Sequence, residues 1–304
     1  MALGIGVLIC LPVSAQSPRP TFRAGISRVT LNVIVKDSHG RALTDLADTD
    51  FQIFDQGLAV PLSDFRVGEE PVSVALLIDT SGSMRIGTRL ATARQAADML
   101  LAHLRDGDEA ALFTFDRTLH EIAPFSQDLS GVRQGFDRVN PFGSTALHDA
   151  VAATARRSVA RASFRGAVVA ITDGFDNSSE LTAAAASNIA SAIDVPVYVM
   201  AVANTSDPVH AGDAAFEPVE SGVIARLDDL TRWTGGASLA AETPAQTSLA
   251  VRQIISDLRT GYVMAFAPQT APGWHQLTVR VARKGATVRT RSGFWMADSS
   301  ASRP

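Results

Sequence analysis

The run Asp79-Thr80-Ser81-Gly82-Ser83 sets a carboxylate and several hydroxyls on one short loop. Before it, Val72-Ser73-Val74-Ala75-Leu76-Leu77-Ile78 is apolar apart from one Ser, the pattern of a strand covered on both faces of a parallel sheet. The loop therefore falls at a strand's carboxyl end, where open α/β sheets bind their ligands. Two more segments can converge there: Gly143-Ser144-Thr145 opening a helix, and Ile171-Thr172-Asp173-Gly174 closing a second apolar strand, Ala167 to Ile171. Together Asp79, Ser81, Ser83, Thr145 and Asp173 offer two carboxylates and three hydroxyls, with no Cys or His among them. Hard oxygen donors of this kind suit Mg²⁺, with Mn²⁺ or Ca²⁺ as alternatives, rather than zinc or copper.

This pattern resembles the metal-ion-dependent adhesion site (MIDAS) of von Willebrand factor A domains, which reads D-x-S-x-S, then a distant Thr, then a distant Asp. Asp79, Ser81 and Ser83 match the first element, Thr145 the second and Asp173 the third. D-x-S-x-S alone is a weak signal; in the right order, at strand ends and a helix start, it is a strong one. Neutral hydroxyl ligands leave a bound cation much of its charge. Asp79 and Asp173 are expected to act through waters or by orienting the hydroxyls. The resemblance further implies that an acidic group of a partner completes the coordination. The expected function is divalent-metal-dependent protein binding, in adhesion or scaffolding. Met84 and Arg85 stand where integrin-type relatives carry acids for a second ion, so a single site is expected.

A plainer alternative gives the loop hydroxyls only a helix-capping role. Capping needs one hydroxyl and leaves two distant Asp residues without a purpose. An enzyme is not expected: there is no G-x-S-x-G, H-E-x-x-H or P-loop, and the six His are scattered. Metal-dependent hydrolysis is the enzymatic alternative, but Mg²⁺ on neutral ligands acidifies water weakly. A third reading is an assembly subunit of a larger envelope or chelatase-like complex. His148, one helical turn beyond Thr145, reads as a polar packing residue, and Asp176-Asn177 as a turn.

The net charge of -4 argues against nucleic acid as a partner. Residues 2 to 13 are apolar and precede Ser14-Ala15-Gln16, as in a secretory signal cut after Ala15, although no Lys or Arg precedes the stretch. It is shorter than the roughly 20 residues that span a bilayer, so no integral membrane segment is expected after cleavage. The sole cysteine, Cys10, lies inside this segment, leaving the mature chain without a thiol. The expected location is secreted or periplasmic, in a bacterium.

The elements that must position the site alternate as in a doubly wound α/β sheet: a helix from Thr88 to Leu104, a strand from Asp108 to Phe115, an edge strand from Thr118 to Pro124, a helix from Thr145 to Ala160, a strand from Val195 to Val202, then helices near Val223 to Trp233 and from Pro244 to Leu258. Strands are expected before it at Arg28–Lys36, Phe51–Phe54 and Leu62–Val67, and after it at Gly261–Phe266, Trp274–Val281 and Ala286–Trp295, the last two joined as a hairpin by Arg283-Lys284-Gly285. Arg280, Arg283, Lys284, Arg289 and Arg291 read as the solvated face of that hairpin. Each flank has about 40 residues, too few to be stable alone, so the flanks are expected to pair. The resulting fold class is α/β: a doubly wound, mostly parallel sheet of the von Willebrand A or Rossmann-like type, inserted in a small all-β sandwich. The expected boundaries are signal 1–15, N-terminal β segment 23–67, von Willebrand A domain 72–257, C-terminal β segment 258–296 and a disordered tail 297–304. Asn32-Val33-Ile34-Val35-Lys36-Asp37, Asp50 to Asp55 and Gly285 to Phe294 resemble the flanks of secreted acidobacterial proteins with a von Willebrand A-related domain.

Overall fold

The computed structural model describes residues 28–68, 70–158, 164–202, 227–268 and 271–296. The signal segment with Cys10, the tail 297–304 and the start of the helix expected near Val223 to Trp233 lie outside them; residues 227–231 are helical.

The chain begins with β1 (Val29–Lys36), β2 (Phe51–Asp55), β3 (Leu58–Val60) and β4 (Leu62–Val67). It continues through β5 (Val72–Asp79), α1 (Arg89–Ala102), β6 (Glu109–Phe115), β7 (Leu119–Ser126), α2 (Leu129–Gln134), α3 (Leu147–Ser158), β8 (Arg165–Thr172), α4 (Ala183–Ala192), β9 (Val197–Ala201), β10 (Ser238–Ala240) and α5 (Pro244–Thr260). It closes with β11 (Tyr262–Phe266), β12 (Gly273–Val281), β13 (Thr287–Arg289) and β14 (Gly293–Met296).

The central sheet has the order β10-β9-β8-β5-β6-β7, parallel except for the antiparallel β6–β7 pair at one edge. Because side chains alternate along a strand, β5 feeds two cores. Val72, Val74, Leu76 and Ile78 pack toward α1 and α5, with Ala97, Leu100 and Ile254. Ala75 and Leu77 pack toward α3 and α4, with Val151, Ala155 and Ala190. The small side chains on α3 and α4 let these helices lie close to the sheet. At α5, Thr243 caps the helix by accepting from Gln246 N–H, Gln246 Oε1 accepts in return from Thr243 N–H, and Pro244 takes the first turn, where its missing donor costs nothing.

The flanks build the sandwich together. One sheet runs β13-β1-β11-β4 and the other β14-β12-β2-β3, so each contains strands from both ends of the chain. Their shared core joins Leu31, Val33, Phe51 and Ile53 to Tyr262, Met264, Leu277 and Phe294. Tyr262 is buried against Phe51 and Phe65; its hydroxyl donates to Leu43 O at 2.8 Å and accepts from Leu46 N–H at 3.1 Å. Burying each such side chain is worth about 1.5–3 kcal/mol, and neither flank offers enough of them alone.

The C-terminal hairpin is a point of correction. Residues Ala286 to Trp295 do not form one strand beside β12: β13 pairs with β1 in one sheet, β14 with β12 in the other. Ala286, Val288 and Phe294 fall at even spacing, but residues 290–292 turn the chain from sheet to sheet, as sandwich corners do. Ser292 N–H there bonds Trp233 O at 3.0 Å. Nor are Arg289 and Arg291 a solvated face. Arg291 is buried and donates to Ser191 O at 2.7 Å, and Arg289 Nε donates to Gly235 O at 3.0 Å. Both sit between sandwich and α/β layer, where they donate to backbone carbonyls of the α/β layer.

That junction lies at the amino ends of the parallel strands. Arg165, opening β8, donates to Leu258 O and Gly261 O, both at 3.1 Å, and Asn32 Nδ2 donates to Asp194 Oδ2 at 2.9 Å just before β9. The carboxyl ends of β5 and β8 are thus left clear of the sandwich.

Candidate functional site

Asp79 ends β5, completely buried, and its carboxylate organises the loop that follows. Asp79 Oδ1 accepts from Ser81 N–H at 2.8 Å, and Oδ2 accepts from Thr172 Oγ1 at 2.5 Å on the neighbouring strand. The loop then enters a short 3-10 turn, Gly82–Arg85, anchored by buried Met84. The Ser81 and Ser83 hydroxyl oxygens end up 3.0 Å apart.

Asp173 follows β8 and is also buried. Asp79 feels it: the Asp79 carboxyl is pushed up to about 7, first by burial and next by the negative charge of Asp173, against the hydrogen bonds from Thr172 and Ser81. Asp173 Oδ2 receives Arg89 Nη1 at 2.8 Å, and the same nitrogen lies 3.2 Å from Ser83 O. Arg89 thereby ties the first turn of α1 to both loops.

Thr145, buried, sits just before α3. Its N–H donates to Asn177 Oδ1 at 2.9 Å, and its carbonyl accepts from Asn177 and Ser178 N–H, each at 3.0 Å, lacing it to the loop beyond Asp173. On the other side, Gly82 N–H donates to Gly143 O at 2.9 Å and Phe142 N–H donates to Thr80 O at 2.6 Å. Gly143 has φ +90°, a conformation that suits glycine. All five residues singled out in the sequence lie on these mutually bonded loops.

From sequence Arg89 has no part in the site, Thr172 enters only as part of a strand end and Asn177 only as part of a turn. Arg89 reads there as an ordinary helix residue, and only its burial beside Asp173 reveals its part. Asp176 and Asn177 do more than turn the chain: Asp176 Oδ2 accepts from His148 N–H at 3.0 Å and Oδ1 from Ser179 N–H at 3.1 Å. His148 Nδ1 lies 3.2 Å from Leu181 O and 3.3 Å from Asp176 Oδ2.

The donor set can be compared with what a small divalent cation requires. Adjacent ligands of an octahedral Mg²⁺ with bonds of about 2.1 Å stand roughly 3.0 Å apart, which the Ser81–Ser83 oxygen pair matches. The two carboxylates and one guanidinium carry one net negative charge when both acids are ionised. The two serine hydroxyls are hydrogen-bonded to each other at that separation, and the chemistry of the set, hydroxyls and carboxylates alone, is that of a hard divalent cation's ligands. Among the described residues no group of three or more His, Cys, Asp and Glu side chains is gathered to hold a metal.

Residues 74–175 match the family model described as "von Willebrand factor type A domain". The chain carries a von Willebrand factor type A domain. Among solved structures, this domain and its surroundings are similar to the conserved hypothetical protein BatB from Bacteroides thetaiotaomicron, with a TM-score of 0.52 and 16% identity over 62% of this chain and 100% of that one. They are also similar to a von Willebrand factor type A protein from Catenulispora acidiphila, with a TM-score of 0.51 and 15% identity over 89% of this chain and 74% of that one. At such identities the likeness speaks for the fold alone. No curated protein sequence matches the chain. Among the described residues no helix is long and apolar enough to cross a membrane.

Proposed function

We propose that the chain is a divalent-cation-dependent protein-binding module, acting in adhesion or scaffolding outside the cytoplasm of a bacterium and not as an enzyme. The observation that carries this reading is the Ser81–Ser83 hydroxyl pair, 3.0 Å apart, set over the buried Asp79 and Asp173 at the tip of the parallel sheet. Ser81, Ser83 and Thr145 would hold Mg²⁺, or Mn²⁺ or Ca²⁺ in its place, with Asp79 and Asp173 orienting them. When bound, the cation supplies an electrophilic point for an acidic side chain of a partner protein or surface polymer. Burial raises the energy of two neighbouring carboxylates, and a cation would relieve it. The von Willebrand A family match and the open carboxyl edge of the sheet support a binding role.

Affinity capture from the native envelope or medium tests the proposal. Wild-type chain with Mg²⁺ should retain a partner; the chelated chain and Asp79→Ala should not, while circular dichroism stays unchanged. Equal capture under all three conditions contradicts it.

A further inference from the structure

Phe142 is the most exposed large apolar side chain among the described residues, with 75% of its surface open. A lone exposed apolar residue is ordinary; the mounting of this one is not. Its own N–H is bonded to Thr80 O at 2.6 Å, and the next carbonyl, Gly143 O, accepts from Gly82 N–H at 2.9 Å. Both contacts are to the loop that carries Ser81 and Ser83. Thr145 is three residues further on, so Phe142 lies within about 10 Å of it along the backbone. An aromatic ring is thus displayed at the rim of the hydroxyl cluster on backbone fixed from two sides, the pre-organised kind of anchor that dominates interfaces.

The surrounding charge is also informative. Arg85, at the end of the Ser81–Ser83 turn, and Arg117, at the tip between β6 and β7, are exposed. That tip adjoins the Phe142 segment, since Ala146 N–H donates to Asp116 O at 2.8 Å. The nearby acids are engaged internally: Asp116 Oδ1 accepts from Thr118 N–H at 2.9 Å, and Asp176 binds His148 and Ser179. The rim offers a partner an aromatic ring and two exposed cations, beside the part-exposed Asp116 carboxylate, which is turned to Thr118 and His120.

We infer that Phe142 is a specificity anchor: the partner is a protein segment in which an Asp or Glu has a bulky apolar side chain within three positions of it. The inference rests on the cation-dependent reading above and adds the apolar requirement to it. An acidic polysaccharide satisfies the cation but not Phe142, and a second copy of the chain would show itself as a concentration-dependent dimer.

Panning a displayed peptide library, with one fixed Asp flanked by randomised positions, against a library in which Asn replaces that Asp provides the test. Wild-type chain with Mg²⁺ should enrich Asp peptides carrying Leu, Ile, Phe or Met within three positions. Phe142→Ser, whose thermal midpoint should match wild type because the ring is exposed, should still require Asp but lose the apolar preference and bind the enriched peptides about tenfold more weakly. Asp peptides enriched without an apolar neighbour, or the same apolar preference in wild type and Phe142→Ser, overturn the inference while sparing the cation-dependent reading. Equal recovery from the Asn library, no enrichment, or enrichment that survives chelation contradicts both.

Discussion

Arg89 Nη1 donates to Asp173 Oδ2 at 2.8 Å, with both side chains shut away from solvent. A buried guanidinium thus stands among the oxygen donors of the candidate site, and it sets how much charge an incoming cation meets. Removing one member of a buried pair leaves the other uncompensated, at a typical cost of about 3–5 kcal/mol. Arg89→Met should therefore destabilise the chelated protein by roughly that amount in urea denaturation. Mg²⁺ should restore more stability to the variant than it gives to wild type, since the site would then carry an extra negative charge. An equal gain in both would remove Arg89 from the account.

Asp79 gives the stability of the chelated protein a defined pH dependence. Its folded-state pKa, about 7, lies above its ordinary value of 3.8, so between these values the folded chain holds a proton that the unfolded chain has released. The contribution from this group is complete below about pH 4 and falls away as pH rises through 7. In chelator, Asp79→Asn should flatten that decline and be more stable than wild type at pH 8, by a few kcal/mol at most. Denaturation midpoints across the pH range check this; a variant less stable than wild type at pH 8 contradicts it.

Asp257 holds the last turns of α5 against the sandwich. Lys36 Nζ lies 2.9 Å from Asp257 Oδ1 and Arg289 pairs with its Oδ2, while Arg259 pairs with Asp108 at the start of β6. Asp257→Ala leaves two cations facing an emptied buried position and should cost roughly 3 kcal/mol. Solution scattering of wild type with and without Mg²⁺ should give the same envelope, because these pairs resist sliding of α5. A changed envelope in wild type would show that α5 moves despite them.

Gly143 turns the chain at φ +90° between Phe142 and Ser144. Ala there has space, its Cβ meeting Asp116 at 3.8 Å, but must adopt a left-handed conformation. Gly143→Ala should cost about 1–2 kcal/mol from this strain and, by displacing the Thr145 loop, weaken Mg²⁺ binding. Thermal shift with and without Mg²⁺ measures both effects.

The strands around the site were legible because burial on both faces leaves an apolar run that ends abruptly in Asp79-Thr80-Ser81 or Thr172-Asp173. The pairing of the flanks followed from their small size. The short elements β3, β10 and α2 carry too few residues to show a period, and the Ala-rich α4 has little contrast between its faces. Burial of Arg89 and Arg291, and half-burial of Arg289, was not legible either. Charged residues normally mark solvent, and these are held inside by carbonyls and carboxylates distant in sequence.

The central claim is that Asp79, Ser81, Ser83 and Asp173, on the loops at the carboxyl ends of β5 and β8, and Thr145, just before α3, form one cation site. Titrating Mg²⁺ and then Mn²⁺ by calorimetry into chelator-stripped chain tests it most directly, beside the double variant Ser81→Ala, Ser83→Ala. The account predicts one saturable site in wild type and none in the variant. Binding that persists unchanged in the variant, or no binding by wild type with either ion, would contradict it.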